Sequence, residues 1–107
     1  MRKDSKDIIP VTYARASKEN YSTVDKISIA SGIRPSIIRV WWYGLTRKQR
    51  LYAFLRYGCG WELAEIRSLM GISNRTLWDH RKHVYQSWNN LQLLIAGTNP
   101  AEIIEEA

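Results

Sequence analysis

Apolar residues recur over most of this chain at the three- and four-residue spacing of amphipathic helices. In the first such stretch Val24 and Ile27 lie one turn apart, with Ser22 or Thr23 available as the N-cap and Gly32 as the end. No stretch alternates between apolar and polar residues in a way that predicts a strand. The pattern therefore predicts an all-α fold: a small multi-helix domain with a long C-terminal helix.

Glycines and capping residues divide the next part of the pattern into two helices. Pro35 suits the first turn of the second helix, where its missing N–H is not needed, and Gly44 closes this helix. A hydroxyl at Thr46 and an amide at Gln49 form a capping-box signature, which predicts the start of a third helix. The expected core residues of this third helix are Leu51, Phe54 and Leu55.

A fourth helix is predicted from Trp61 to Met70, after a glycine-rich break at residues 58–60. Gly71 supplies its C-terminal cap, and Ser73 supplies the N-cap of the last helix. Beyond Val84, that helix carries an apolar stripe which either closes the domain's own core or forms the seam of a homodimer. The stripe consists of Trp88, Leu91, Leu94 and Ile95.

The chain is expected to have three parts. Residues 1–20 mix charged and small polar residues and are predicted to be a basic, partly ordered arm. Residues 21–96 form the helical domain. Gly97 is expected to stop the long helix, so that residues 97–107 form an acidic C-terminal tail containing a final turn of helix.

Composition and charge narrow the classes of function. With 107 residues, five Trp and six Tyr, the chain can form a single domain with a core of its own. The net charge of +6 is uneven: residues 1–50 carry eleven Lys and Arg against four acids, whereas residues 51–107 carry five against six. Such a charge attracts polyanions, most often DNA or RNA, although it also occurs simply as solubilising surface charge.

Several other classes find no support in the sequence. We expect no membrane span and no secretion signal, and the single cysteine, Cys59, fits a reducing cytoplasm. A metal site would have to begin from His80 and His83, with no further ligand at a suitable spacing. Ser73, Asp79 and His80 are crowded on one helix and cannot form a catalytic triad. We therefore expect neither an enzyme nor a bound cofactor or metal.

The stretch LTRKQRLYAFLRYGCGWELAEIRSLMGISNRTLWDH joins a Leu-Thr helix start, a glycine break, a Glu-Ile step, Gly-Ile-Ser and Thr-Leu in that order. Over residues 45–88 the chain resembles the helix-turn-helix of LuxR-type regulators and of region 4 of bacterial sigma factors. In such a motif Gly71 makes the bend and Ser73 caps the helix that enters the major groove. Arg67 departs from the pattern, because such motifs usually have a small residue there. The alternative is an ordinary corner between two packed helices.

An upstream segment, about 22–43, repeats the pattern of residues 61–86 when shifted by 39 positions, so that Gly32 falls on Gly71. It is similar to the N-terminal helix-turn-helix of phage terminase small subunits and kindred regulators. Arg34 stands at the cap position in place of Ser or Thr. Both a second DNA-contacting unit and a degenerate copy that serves as core and dimer surface remain open.

A helix that begins at Ser73 turns one set of residues toward the core, namely Leu77, His80, Val84 and Trp88. The opposite set suits a DNA groove, since Arg can pair bidentately with guanine, Asn with adenine, and Lys with phosphate. Trp78 could contact a thymine methyl group or pack on a neighbouring domain, and Asp79 is expected to point away from DNA or to pair with Arg75 or Arg81. The expected DNA-binding residues are Ser73, Asn74, Arg75, Trp78, Arg81 and Lys82.

Other basic residues could add phosphate contacts, although each could equally belong to a solvated face. On the first copy and at the start of the third helix these residues are Arg34, Ser36, Arg39, Arg47 and Lys48. On the arm they are Arg2, Lys3, Lys6, Arg15 and Lys18, for which a disordered tail is the alternative.

The resemblance implies a sequence-specific double-stranded DNA-binding transcriptional regulator of bacterial, phage or mobile-element origin. One alternative is a phage DNA-packaging or recombination accessory protein. Another is a sigma region 4-like module that binds RNA polymerase. A homodimer would match a palindromic operator.

Overall fold

The computed structural model describes residues 7–12 and 21–106, with side chains as far as residue 96. The described residues contain helices and no strand, which confirms the all-α prediction. A π-helical segment, Phe54–Gly58, directly continues the third helix. Within these residues there are five α-helices, namely α1 Thr23–Ser31, α2 Pro35–Gly44, α3 Arg47–Ala53, α4 Leu63–Met70 and α5 Asn74–Glu106.

The predicted caps are confirmed. Ser22 caps α1, and its hydroxyl accepts a hydrogen bond from the backbone N–H of Asp25, whose carboxylate accepts from the N–H of Ser22. Thr46 and Gln49 form the same reciprocal box at the start of α3. Each box satisfies amides that have no acceptor inside the helix, so these two helix starts are fixed by residues three positions apart.

The repeat at a shift of 39 positions is visible in the structure. α1 and α2 are joined through Gly32 at φ 81°, and α4 and α5 through Gly71 at φ 64°. Both angles lie in the left-handed region, which costs little only for glycine. Equivalent positions in the two helix pairs are buried: Ile27 with Ile66, and Ile38 with Leu77.

The core lies where α5 packs against the earlier helices. α3 packs along α5, and α2 crosses its middle, where Trp41 meets Trp88 edge-to-face at 5.1 Å between ring centroids. Nε1 of Trp41 also donates a hydrogen bond to the hydroxyl of Ser87 at 2.9 Å. This contact satisfies the indole N–H while the rest of the ring is buried, as large aromatic core residues require.

The expected core residues of α3 need a partial correction. Leu55 is buried, but Leu51 and Phe54 are 41% and 46% exposed, while Tyr52 and Ala53 are fully buried. The π-helical segment begins only at Phe54, and its wider turn accompanies the burial of three successive side chains, Leu55, Arg56 and Tyr57. At the end of this segment, the N–H of Cys59 donates a hydrogen bond to the carbonyl of Phe54, five residues earlier in the chain.

Residues 7–12 differ from the predicted arm, because they pack on the core. Ile9 is only 1% exposed. Asp7 is almost buried and accepts hydrogen bonds from Nε of Arg56 at 3.4 Å and from the hydroxyl of Tyr57 at 2.8 Å. A buried carboxylate needs partners of this kind. The arm residues Arg2, Lys3, Lys6, Arg15 and Lys18 lie outside the described residues.

The last helix is longer than predicted, since α5 continues through Gly97 to Glu106. One glycine disfavours a helix by only about 1 kcal/mol relative to alanine, which is not enough to end it. The apolar stripe divides along its length: Trp88 and Leu91 are buried in the core, whereas Leu94 is exposed. Among the helices of the described residues, none is both long and apolar enough to span a membrane.

Candidate nucleic-acid interface

The candidate site is the start of α5, and the local sequence determines how this helix begins. Gly71 ends α4, and its N–H bonds to the carbonyl of Ser68. Ser73 then caps α5, its hydroxyl accepting the N–H of Thr76 at 3.2 Å, and Leu77 anchors the first turn in the core. The N-terminal end of α5 is thus fixed and its first amides face outward, where a helix attracts anions.

The predicted inward and outward sets of α5 are separated as expected. Leu77, Val84 and Trp88 are buried, while His80 is half-buried. Among the predicted DNA-binding residues only Arg81 is half-buried; the exposed ones are Ser73, Asn74, Arg75, Trp78 and Lys82. One side of the first turns of α5 therefore presents hydroxyl, amide, guanidinium and ammonium groups together.

Arg81 is fixed by two aromatic side chains. Its guanidinium carbon lies 4.7 Å from the ring centroid of Trp78 and 5.1 Å from that of Tyr85. Its Nε donates a hydrogen bond to the hydroxyl of Tyr85 at 3.1 Å. Cation–π contacts on both rings reduce the mobility of a side chain that is otherwise flexible.

A polar network lies beneath Arg81 and reaches the N-terminal segment. Burial raises the pKa of Tyr85, and the charge of Asp7 raises this pKa further. Burial also raises the pKa of Tyr57, whose hydroxyl donates to the carboxylate of Asp7. A phenol is already protonated at neutral pH, and these upward shifts keep both hydroxyls in the protonated form.

Three residues of this face were not predicted from the sequence. Tyr85, Gln86 and Asn89 line a surface groove of about 470 Å³ together with Trp78, Asp79, Arg81 and Lys82. The spacing contained a signal for Tyr85, because positions 78, 81 and 85 lie on one side of a helix. No pattern in the sequence predicted that Asp7 would lie near this face, since 78 positions separate it from Tyr85.

The acidic residue in this face does not form the predicted ion pair. Within the described part of the chain, Asp79 pairs with neither Arg75 nor Arg81, whose guanidinium lies over the two rings instead. Asp79 is exposed, and its backbone carbonyl lies 2.9 Å from Nδ1 of His83. Its carboxylate thus leaves the cations of α5 unneutralised.

Basic residues at the start of α3 lie near α5. Arg47 and Lys48 are exposed, and Lys48 is close enough to His80 for its charge to lower the pKa of that imidazole, after the larger effect of burial. Arg50 is bound to its own turn, where a guanidinium nitrogen donates to the carbonyl of Leu45 at 2.7 Å. The structure therefore brings Lys48 to the α5 region, while Arg50 is used locally.

The first copy presents a separate surface. Arg34, Ser36 and Arg39 are exposed on α2, and Arg34 makes no side-chain capping bond. α2 contacts α5 at Ser87 and Trp88, about 20 Å along the helix axis from Ser73. No hydrogen bond, ion pair or ring contact joins these three residues to the outward face of α5 within the residues described.

The helical part of the chain before residue 97 is strongly cationic. Residues 21–96 contain eleven Lys and Arg against four Asp and Glu. One of these cations, Arg56, is buried with Asp7, and Lys26 donates to the carbonyl of Gly58 at 2.7 Å, so both have structural functions. The remaining positive charge lies largely on the surfaces just described.

Comparisons with protein families, with curated proteins and with solved structures give no match to this chain.

Proposed function

We propose that this protein binds double-stranded DNA and inserts the first turns of α5 into the major groove. The observation that carries the proposal is the division of α5 into two sides. Leu77 and Val84 are fixed in the core, and Asn74, Arg75 and Lys82 are exposed on the helix surface. A helix about 10–12 Å wide fits the roughly 12 Å major groove, so such side chains would reach base edges.

The types of side chain favour recognition of sequence as well as of charge. Arg75 suits the acceptor pair of guanine and Asn74 the donor and acceptor of adenine, whereas Lys82 and the capped N-terminus suit phosphates. The cations at Arg47 and Lys48 would add phosphate contacts beside the same helix. These features support a sequence-specific transcriptional regulator, in agreement with the resemblance to helix-turn-helix proteins.

A binding titration against duplex DNA tests the proposal. The wild-type chain should bind a fluorescently labelled duplex, with affinity that falls steeply as salt rises, because each neutralised phosphate releases counterions. The double variant Arg75→Ala with Lys82→Ala should lose about tenfold or more in affinity, since single base or phosphate contacts contribute roughly 1–3 kcal/mol.

The matched control is Asn90→Glu with Gln92→Glu, which lowers the net charge by the same two units. Both residues are exposed on α5, beyond the candidate face. This control should retain most of the affinity at a fixed salt concentration. Equal losses in the two double variants, or no duplex binding by the wild type at low salt, would contradict the proposed site.

A further inference from the structure

Trp78 differs from the other tryptophans of the chain. It is 54% exposed, whereas Trp41 and Trp88 are buried and Trp42 and Trp61 are half-buried. It also lies among cations and amides rather than in an apolar patch. A large aromatic ring exposed in polar surroundings is a feature of binding surfaces.

The ring of Trp78 ends a stack of planar groups. The guanidinium of Arg81 covers it at 4.7 Å and contacts the ring of Tyr85 at 5.1 Å. In the region whose side chains are described, no second ring or cation lies over Trp78. One side of the indole is thus supported by a fixed cation, and more than half of the residue is left accessible.

The groove beside this stack is lined with groups that complement a nucleotide. Gln86 and Asn89 each carry an amide that donates and accepts hydrogen bonds, and Lys82 carries an ammonium group suited to phosphate. Its volume of about 470 Å³ is ample for one base with its sugar. Aromatic faces beside cations are how proteins bind bases without pairing them.

We propose that this groove binds an unstacked base of single-stranded DNA, which stacks on Trp78 while Lys82 contacts a neighbouring phosphate. This inference rests on the proposed function in one respect only: both assume that the ligand of the protein is DNA. In an intact duplex both faces of each base are already stacked, and the grooves expose base edges. The open face of an indole therefore favours a base that is unpaired, for which the cost of unstacking is smallest.

Tryptophan fluorescence tests this directly, because Trp78 is the exposed member of the five. Addition of a thymidine oligonucleotide should quench the emission of the wild type and of Trp61→Phe, the control variant. Trp78→Ala should show little quenching and should bind the oligonucleotide about tenfold more weakly, or worse, as expected for loss of base stacking. Circular dichroism of Trp78→Ala should match the wild type, since an exposed residue is replaced, and Trp61→Phe keeps an aromatic ring at its half-buried position.

A second fluorescence experiment uses duplex DNA. A duplex with a single-stranded extension should quench Trp78 more strongly than the fully paired duplex. Unchanged oligonucleotide affinity of Trp78→Ala, or equal quenching by the fully paired duplex, would overturn the inference. Quenching by the oligonucleotide without any duplex binding would support it and contradict the proposed duplex function instead, so the two failures are distinguishable.

Discussion

The hydroxyl of Tyr85 accepts a hydrogen bond from Nε of Arg81 at 3.1 Å while the Arg81 guanidinium lies over the Tyr85 ring. Beneath them lies the carboxylate of Asp7, which binds Arg56 and Tyr57 and is close enough for its charge to raise the pKa of Tyr85, after the larger effect of burial. The orientation of Arg81, a half-buried cation of the candidate face, is therefore set by the ring and the hydroxyl of Tyr85. Such a supporting layer is what gives a binding side chain a defined geometry.

Tyr85→Phe tests whether this support matters for binding. The variant keeps the ring under Arg81 and removes only the hydroxyl, so Arg81 becomes more mobile. We expect duplex affinity to fall about three- to tenfold, the value of a hydrogen bond worth roughly 1 kcal/mol. Fluorescence anisotropy of a labelled duplex at a fixed salt concentration measures this affinity. Tyr43→Phe is the control, because Tyr43 is exposed and only its ring faces Arg50; equal effects of the two variants would contradict a positioning function.

Asp7→Ala should destabilise the fold. It leaves Arg56, which is only 4% exposed, without its carboxylate, although the bond from Arg56 to the Trp61 carbonyl remains. Breaking a buried ion pair from one side costs about 3–5 kcal/mol, and the remaining bond favours the lower value. Urea unfolding measures the change. Asp79→Ala removes an exposed carboxylate and should change the free energy of unfolding by about 0.5 kcal/mol or less; similar losses in both would show that residue 7 is not packed as described.

Gly58→Ala should also lower stability. A Cβ at this position would overlap Oγ1 of Thr23, a buried residue, and would lie 3.2 Å from a ring carbon of Phe54. Overpacking of this kind costs about 1–3 kcal/mol. Gly44→Ala is the control, because no atom lies within 4 Å of its Cβ position. Thermal unfolding compares the two, and a second change, Thr23→Ala, should recover part of the loss in Gly58→Ala; an unaltered midpoint for Gly58→Ala would contradict the close approach.

Stability should decrease at mildly acidic pH because of His80. Burial, and then the charge of Lys48, lower the pKa of His80 from its ordinary 6.5. As pH falls below about 6.5, the unfolded chain therefore binds a proton before the folded chain does, and the free energy of unfolding decreases. His80→Leu should remove this part of the pH dependence, whereas His83→Gln should retain it. Denaturant titrations between pH 7.5 and 5 measure the free energy of unfolding of each variant. If its dependence on pH were the same in the wild type and in His80→Leu, the prediction would be wrong.

The starts of α1, α3 and α5 and the two sides of α5 follow from the sequence alone. Ser22, Thr46 and Ser73 cap helices through contacts within three residues, and Gly32 and Gly71 adopt the left-handed conformation that ends them. These interactions are local, so the order of residues is enough to specify them. Helical periodicity likewise determines that Leu77 and Val84 face away from Arg75 and Lys82.

The tertiary structure decided what periodicity could not. The packing of Asp7 against Tyr57 joins residues 50 positions apart, and no local pattern in a charged N-terminal segment indicates it. Leu51 and Phe54 are exposed against their spacing, and the π-helical turn at Phe54–Gly58 buries Leu55, Arg56 and Tyr57 in succession. Local capping and periodicity fix where helices begin and which side is apolar, whereas long-range packing fixes which polar groups are buried together.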